Sequence, residues 1–219
     1  MTEQSKWVSE NTNQAILQGI YNIISQHMTS LHSSEHAQEL QQTIQEKQVE
    51  IEKLYTNWII DEPSRFHLRL MSLLLASYRV LANVLPKDDT LALLKKAVIE
   101  PNRQVIQEGM RYALDYAPDP MSVLVNASKE REENFFGRTF TFEPMQDDDK
   151  AYLLHVKQCF YHRFSVENGV PELMQILCEW DWIWADAIEP QKHGVSFELP
   201  TTLGYGGDVC RFYFRRGSQ

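Results

Sequence analysis

Cysteine is scarce in this 219-residue chain: there are three, Cys159, Cys178 and Cys210, and no two of them form a CxxC pair. That spacing announces neither a zinc knuckle nor a thioredoxin-type site, and the odd set reads as free thiols. Positive charge is also short, with 21 Lys plus Arg against 30 Asp plus Glu and a formal net charge of -9. Such an acidic field disfavours nucleic acid and anionic membrane surfaces as partners. Long hydrophobic runs are missing as well. The most apolar stretch, 68–85, is interrupted by Arg69, Ser72, Ser77, Arg79 and Asn83, as suits a buried amphipathic helix rather than a membrane span. The opening MTEQSKWVSENTNQ has no charged region ahead of an apolar core and no small-residue cleavage site, so no secretory signal is expected and the cytoplasm is the expected compartment. No internal repeat or long low-complexity linker interrupts the chain.

The chain is long enough to bury a sizeable core without disulfide or metal staples. Residues 12–118 are helical in character. Ile16, Ile20, Ile23, Ile24 and His27 follow helical spacing, and the Gln- and Glu-rich stretch 35–58 carries a sparse stripe of Leu40, Ile44, Ile51 and Leu54. That second stretch suits a solvated helix or a modest homodimer contact. Pro63 and Ser64 open a stronger helix, with Ser64 expected to cap it. Pro101 is expected to mark a junction between two helices, and a further helix is expected over 121–136.

After Gly137 the pattern changes. Phe140 and Phe142 alternate in 139–143 as in a half-buried strand, two helices are expected over 149–166 and 171–188, and Val195, Phe197 and Leu199 alternate again. GYGG at 204–207 supplies a turn before Cys210, Phe212 and Phe214. The expected fold is therefore α+β, a helical N-terminal half packed with a small antiparallel module of strand, helix, helix, strand, strand. We expect residues 1–62 to form an N-terminal helical segment and 63–219 the helical plus α+β catalytic part.

The cysteines sit in that C-terminal module. Cys178 and Asp181 share a helix face beside the apolar stripe of Leu173, Ile176, Leu177, Trp180 and Trp184, and an Asp there is costly to bury unless it is hydrogen-bonded or works on a ligand. Cys210 points with Phe212 and Phe214, opposite Arg211 and Tyr213, and the preceding Gly206 and Gly207 allow close approach of backbone to a ligand. His155, Cys159 and His162 fall along one edge of the helix expected over 149–166, where a His could take the thiol proton. Each has a plainer reading: a buried Cys is commonly a small apolar side chain, and an Arg on a strand's outer face is commonly solvated.

Three segments, HVKQCFYHRF (155–164), GVPELMQILCEWDW (169–182) and FELPTTLGYGGDVCRFYF (197–214), resemble the C-terminal blocks of the L-2-amino-thiazoline-4-carboxylate hydrolase family, with a weaker likeness at 73–79. The resemblance implies hydrolysis of a cyclic carbon–nitrogen bond, opening a 2-aminothiazoline acid to an N-carbamoyl amino acid. It picks out Cys159, Gly169, Pro171, Cys178, Asp181, Gly206, Gly207 and Cys210. On that reading Cys178, Asp181 and Cys210 are catalytic, supported by Cys159, His162, His155, Gly206, Gly207 and Arg211. Arg211 or Arg163 would meet a substrate carboxylate, the partner would be a small molecule, and no cofactor is expected. Two further likenesses stand beside it. The Cys-x-x-Asp with a later Cys resembles the arrangement of organomercurial lyases, and the paired cysteines resemble vinyl-reductase-like ligand-binding modules, in which three thiols and a His could hold zinc.

Overall fold

The computed structural model describes residues 3–217, with side chains from residue 13 onward. Helices and one antiparallel sheet make an α+β fold, as expected. In chain order the described residues form α1 (Glu3–Leu31), α2 (Ser34–Leu54), α3 (Glu62–Leu81), α4 (Lys87–Asp115), α5 (Pro120–Arg131), β1 (Thr141–Asp147), β2 (Ala151–Gln158), α6 (Phe160–Glu167), α7 (Glu172–Trp180), α8 (Pro190–His193), β3 (Val195–Glu198) and β4 (Cys210–Arg216). None of these helices is long and apolar enough to cross a membrane.

Two compact units result. One comprises Met1–Ile59 with Arg65–Asn102, the other Ile60–Ser64 with Arg103–Gln219. The first is helical. Ser33 caps α2 by accepting from the His36 N–H at 3.3 Å, and the sparse stripe of α2 is buried at Leu40, Ile44 and Ile51. In α3 the apolar run from Leu73 to Leu75 is fully buried. Pro101 lies inside α4 and does not end it, which corrects the expected junction. A proline costs one internal hydrogen bond, and a helix of this length continues on either side of it.

The second unit holds the sheet, in the order β1-β2-β4-β3 with every neighbour antiparallel. Residues 151–158 form a strand, not the start of the helix expected over 149–166. The Asp148 carboxylate accepts the Lys150 and Ala151 N–H groups at 2.8 and 3.0 Å, closing the turn that folds β1 onto β2. The module therefore runs strand, strand, helix, helix, strand, strand, with α8 a single turn before β3.

Two other helices end earlier than their spacing suggested. After α5 the chain widens into a π-helical turn over Glu132–Phe136. After α7 it leaves the helical path at Asp181, and Trp182 and Trp184 both reach the Phe197 ring, at 5.8 and 4.7 Å between centroids. Residues two apart on a helix do not face one target, so both contacts require the helix to have stopped. The start of α3 also differs from expectation: Asp61 accepts the Ser64 N–H at 2.8 Å, while the Ser64 hydroxyl accepts from the Ile60 and Asp61 amides. Asp61 is thus the cap, and Ser64 answers it from inside the first turn.

Candidate active site

Alternation along β2 and β4 decides which side chains can meet. In register, Val156 stands opposite Cys210, Leu154 opposite Phe212 and Tyr152 opposite Phe214, all on the face that carries the core of this unit. On the other face His155 pairs with Arg211 and Leu153 with Tyr213. The core face does not close completely. Between it and α5, α7 and the end of α4 lies a partly enclosed cavity of ≈ 350 Å³.

All three thiols line this cavity, and all are buried and free. Cys159 sits at the joint between β2 and α6, Cys178 near the end of α7, and Cys210 at the start of β4. Asp181, one turn beyond Cys178, lines it as well. The loop over 202–204 lies directly on two of the sulfurs. The Leu203 N–H donates to Cys210 Sγ at 3.3 Å, and a Cβ on Gly204 would stand 2.6 Å from Cys178 Sγ. Gly204 is therefore the glycine the thiols require. Gly206, at φ +84°, and Gly207, whose Cβ would meet the Thr202 carbonyl at 2.9 Å, serve the turn itself.

Burial sets the electrostatics. It pushes the Cys178 thiol up to about 12, helped by Cys210 and opposed by Thr202, and the Cys210 thiol up to about 11, opposed by the Leu203 amide. Cys159 is raised well above the usual thiol range by the same burial, against the pull of the first-turn amides of His162 and Tyr161. At neutral pH all three are thiols, not thiolates. Burial also raises the Asp181 carboxyl, and the Arg131 guanidinium works against it from 3.2 Å.

Arg131 is a residue the sequence reasoning missed. It ends α5, where the π-helical turn sets Phe135 and Phe136 beneath its guanidinium at 5.6 and 5.2 Å from the ring centroids. The same turn places Glu132 to accept from the Tyr152 hydroxyl at 2.7 Å and the Ser128 hydroxyl at 3.0 Å. Such a turn is frequent at functional sites, but its signal is a backbone geometry that no residue type encodes. One further wall residue, Trp184, carries a buried polar atom without a hydrogen-bond partner, its Nε1.

Four expected site residues stand elsewhere. His155 lies on the opposite face of the sheet, its Nε2 3.0 Å from the Tyr213 hydroxyl, because the segment is a strand. Its pKa is lowered by its partial burial and by Arg211 and Lys157. Arg211 on the same face donates to Thr201 Oγ1 at 2.5 Å and pairs with Asp208 at 3.0 Å. His162 and Arg163 border a separate open groove with Lys157, Glu167 and Leu203, and Cys159 borders both spaces. Among the described residues no three His, Cys, Asp or Glu side chains stand where they could hold one metal ion.

Residues 65–214 match the family described as L-2-amino-thiazoline-4-carboxylic acid hydrolase. That span is more than half the chain, and the protein belongs to this family. No curated protein matches it.

Proposed function

We propose that the protein is a small-molecule hydrolase that opens a ring at an amidine-type carbon within the ≈ 350 Å³ cavity, with Cys178, Cys210 and Asp181 as its reacting groups. One observation carries this reading: these three side chains, separated in the chain, line the same partly enclosed space. Family membership supports the reaction class, and Arg131, Glu132 and Tyr161 contribute polar groups to the wall.

The protonated resting thiols set the order of events. An amidine nitrogen is basic, so a bound substrate takes the thiol proton, directly or through Asp181, and the amidinium formed beside sulfur stabilises the thiolate. Sulfur then adds to the amidine carbon, the ring heteroatom leaves with a proton returned from Asp181, and one water hydrolyses the thio-adduct to regenerate the thiol. The net consumption is one water. For a 2-aminothiazoline that becomes an N-carbamoyl product, both bonds from C2 to nitrogen survive, so the ring bond broken is C2–S and not the C–N bond expected above. Arg131 keeps Asp181 available as a base against the burial that would protonate it.

Ring opening of a panel of 2-aminothiazolines, followed as free thiol released, tests the proposal. Cys178→Ala, Cys210→Ala and Asp181→Asn are each measured against wild type. A loss of about 100-fold or more in kcat/KM is expected for Asp181→Asn and for at least one cysteine variant. Turnover near wild type in all three ends the proposal.

A further inference from the structure

Resting on the cavity as the site of ring opening, we infer that the ring it takes is carried on an apolar, aromatic-sized body and bears no free carboxylate. The substrate that gives the family its description is a single five-membered ring with a carboxylate, and this cavity is shaped for something else.

Size is the first argument. A dry cavity of about 150 Å³ holds one benzene ring, whereas the space here is ≈ 350 Å³. That leaves room for two linked or fused rings. The walls are carbon: Phe135, Phe136, Phe142, Trp180, Trp184 and Phe212 all contribute, so a small polar acid would leave most of the apolar surface without contacts. A ligand that fills it gains its affinity from those faces.

Charge is the second. Arg131 is the one cation among the described lining residues, and its guanidinium already pairs with Asp181 at 3.2 Å and lies over two phenyl rings. Glu132 adds a second carboxyl group to the same wall. A substrate carboxylate would have to share Arg131 with Asp181 and be desolvated near two carboxyl groups, which costs free energy. A neutral or protonated amidine meets the opposite situation, with acidic groups and aromatic faces to receive it.

The experiment is calorimetric titration of the full chain with 2-aminobenzothiazole, a two-ring amidine whose aromatic ring resists opening, and with 2-aminothiazoline-4-carboxylate. The bicyclic probe should bind about 30-fold more tightly or better. Ala127→Phe, which turns a ring into the space from α5, should abolish its binding, with Ala127→Leu as the milder version if the first variant fails to fold. The inference is overturned if the acid binds as tightly as the bicycle, or if a folded Ala127 variant binds the bicycle unchanged. Turnover separates it from the hydrolase reading. Aryl-substituted 2-aminothiazolines that bind but are never opened overturn the reaction and leave the ligand class standing. Efficient opening of the acid with aryl compounds excluded overturns the ligand class and leaves the reaction.

Discussion

The two faces of the central strand pair are made by the same backbone and differ in how their polar groups are satisfied. On one face His155, Arg211 and Tyr213 find each other or nearby loop residues, and each has a named hydrogen-bond partner. On the other, Cys210 shares the wall of the cavity with Cys178, Asp181 and Trp184. A reactive residue type in a completed network reads as structural, whereas the same type on the wall of a cavity is a candidate for binding.

The largest effect should come from emptying the core face further. Phe214→Ala removes a ring packed against Tyr152, Trp184 and Phe197, and should cost about 3–5 kcal/mol of stability by urea unfolding. A cost below about 1 kcal/mol would mean that this face is not the core. Next is thiol reactivity. With its pKa near 11, Cys210 should react with iodoacetamide at pH 7 about 300-fold more slowly than an ordinary cysteine, and Cys178 more slowly still. Mass-mapped alkylation rates that match a free thiol would contradict the burial described. The same shifts make stability pH-dependent. These thiols keep their protons in the folded chain beyond the unfolded thiol range, so their contribution is complete below about pH 8.5 and is lost as pH rises toward 11–12. Cys210→Ala should flatten that alkaline loss.

Asp181 gives a smaller effect at the acid end. Its folded pKa is raised, so its contribution is present below the unfolded carboxyl range and lost as pH rises through the folded value. Asp181→Asn should therefore fall less steeply in stability from pH 4 to pH 8, and parallel unfolding profiles would remove this account. The smallest change is expected across the sheet. His155→Gln should stay within about 0.5 kcal/mol of wild type in stability and leave turnover unchanged. A large loss of activity there would erase the distinction between the faces.

Much of the cavity was legible because it follows from short-range periodicity. Cys178 lies in a helix that exists and Asp181, three positions on, is its C-cap, while Cys210, Phe212 and Phe214 alternate on a strand that exists. Residues 151–158 were misread because His155, Cys159 and His162 fit helical spacing, while the competing alternation of Tyr152, Leu154 and Val156 against Leu153, His155 and Lys157 fits a strand equally well. Asp148 decides the matter by closing a turn, and that sends His155 away from the thiols. Arg131 was illegible for another reason. Its partner lies 50 positions onward, and its orientation depends on a π-helical turn.

The outer strand β1 carries Pro144 and two register shifts, between Thr141 and Phe142 and between Pro144 and Gln146. Proline offers no N–H outward, and the irregular pairing twists the rim away from the flat geometry that a foreign strand needs. The opposite rim, β3, is four residues long. Neither border invites another chain to extend the sheet, so the module carries its own protection against edge-to-edge pairing.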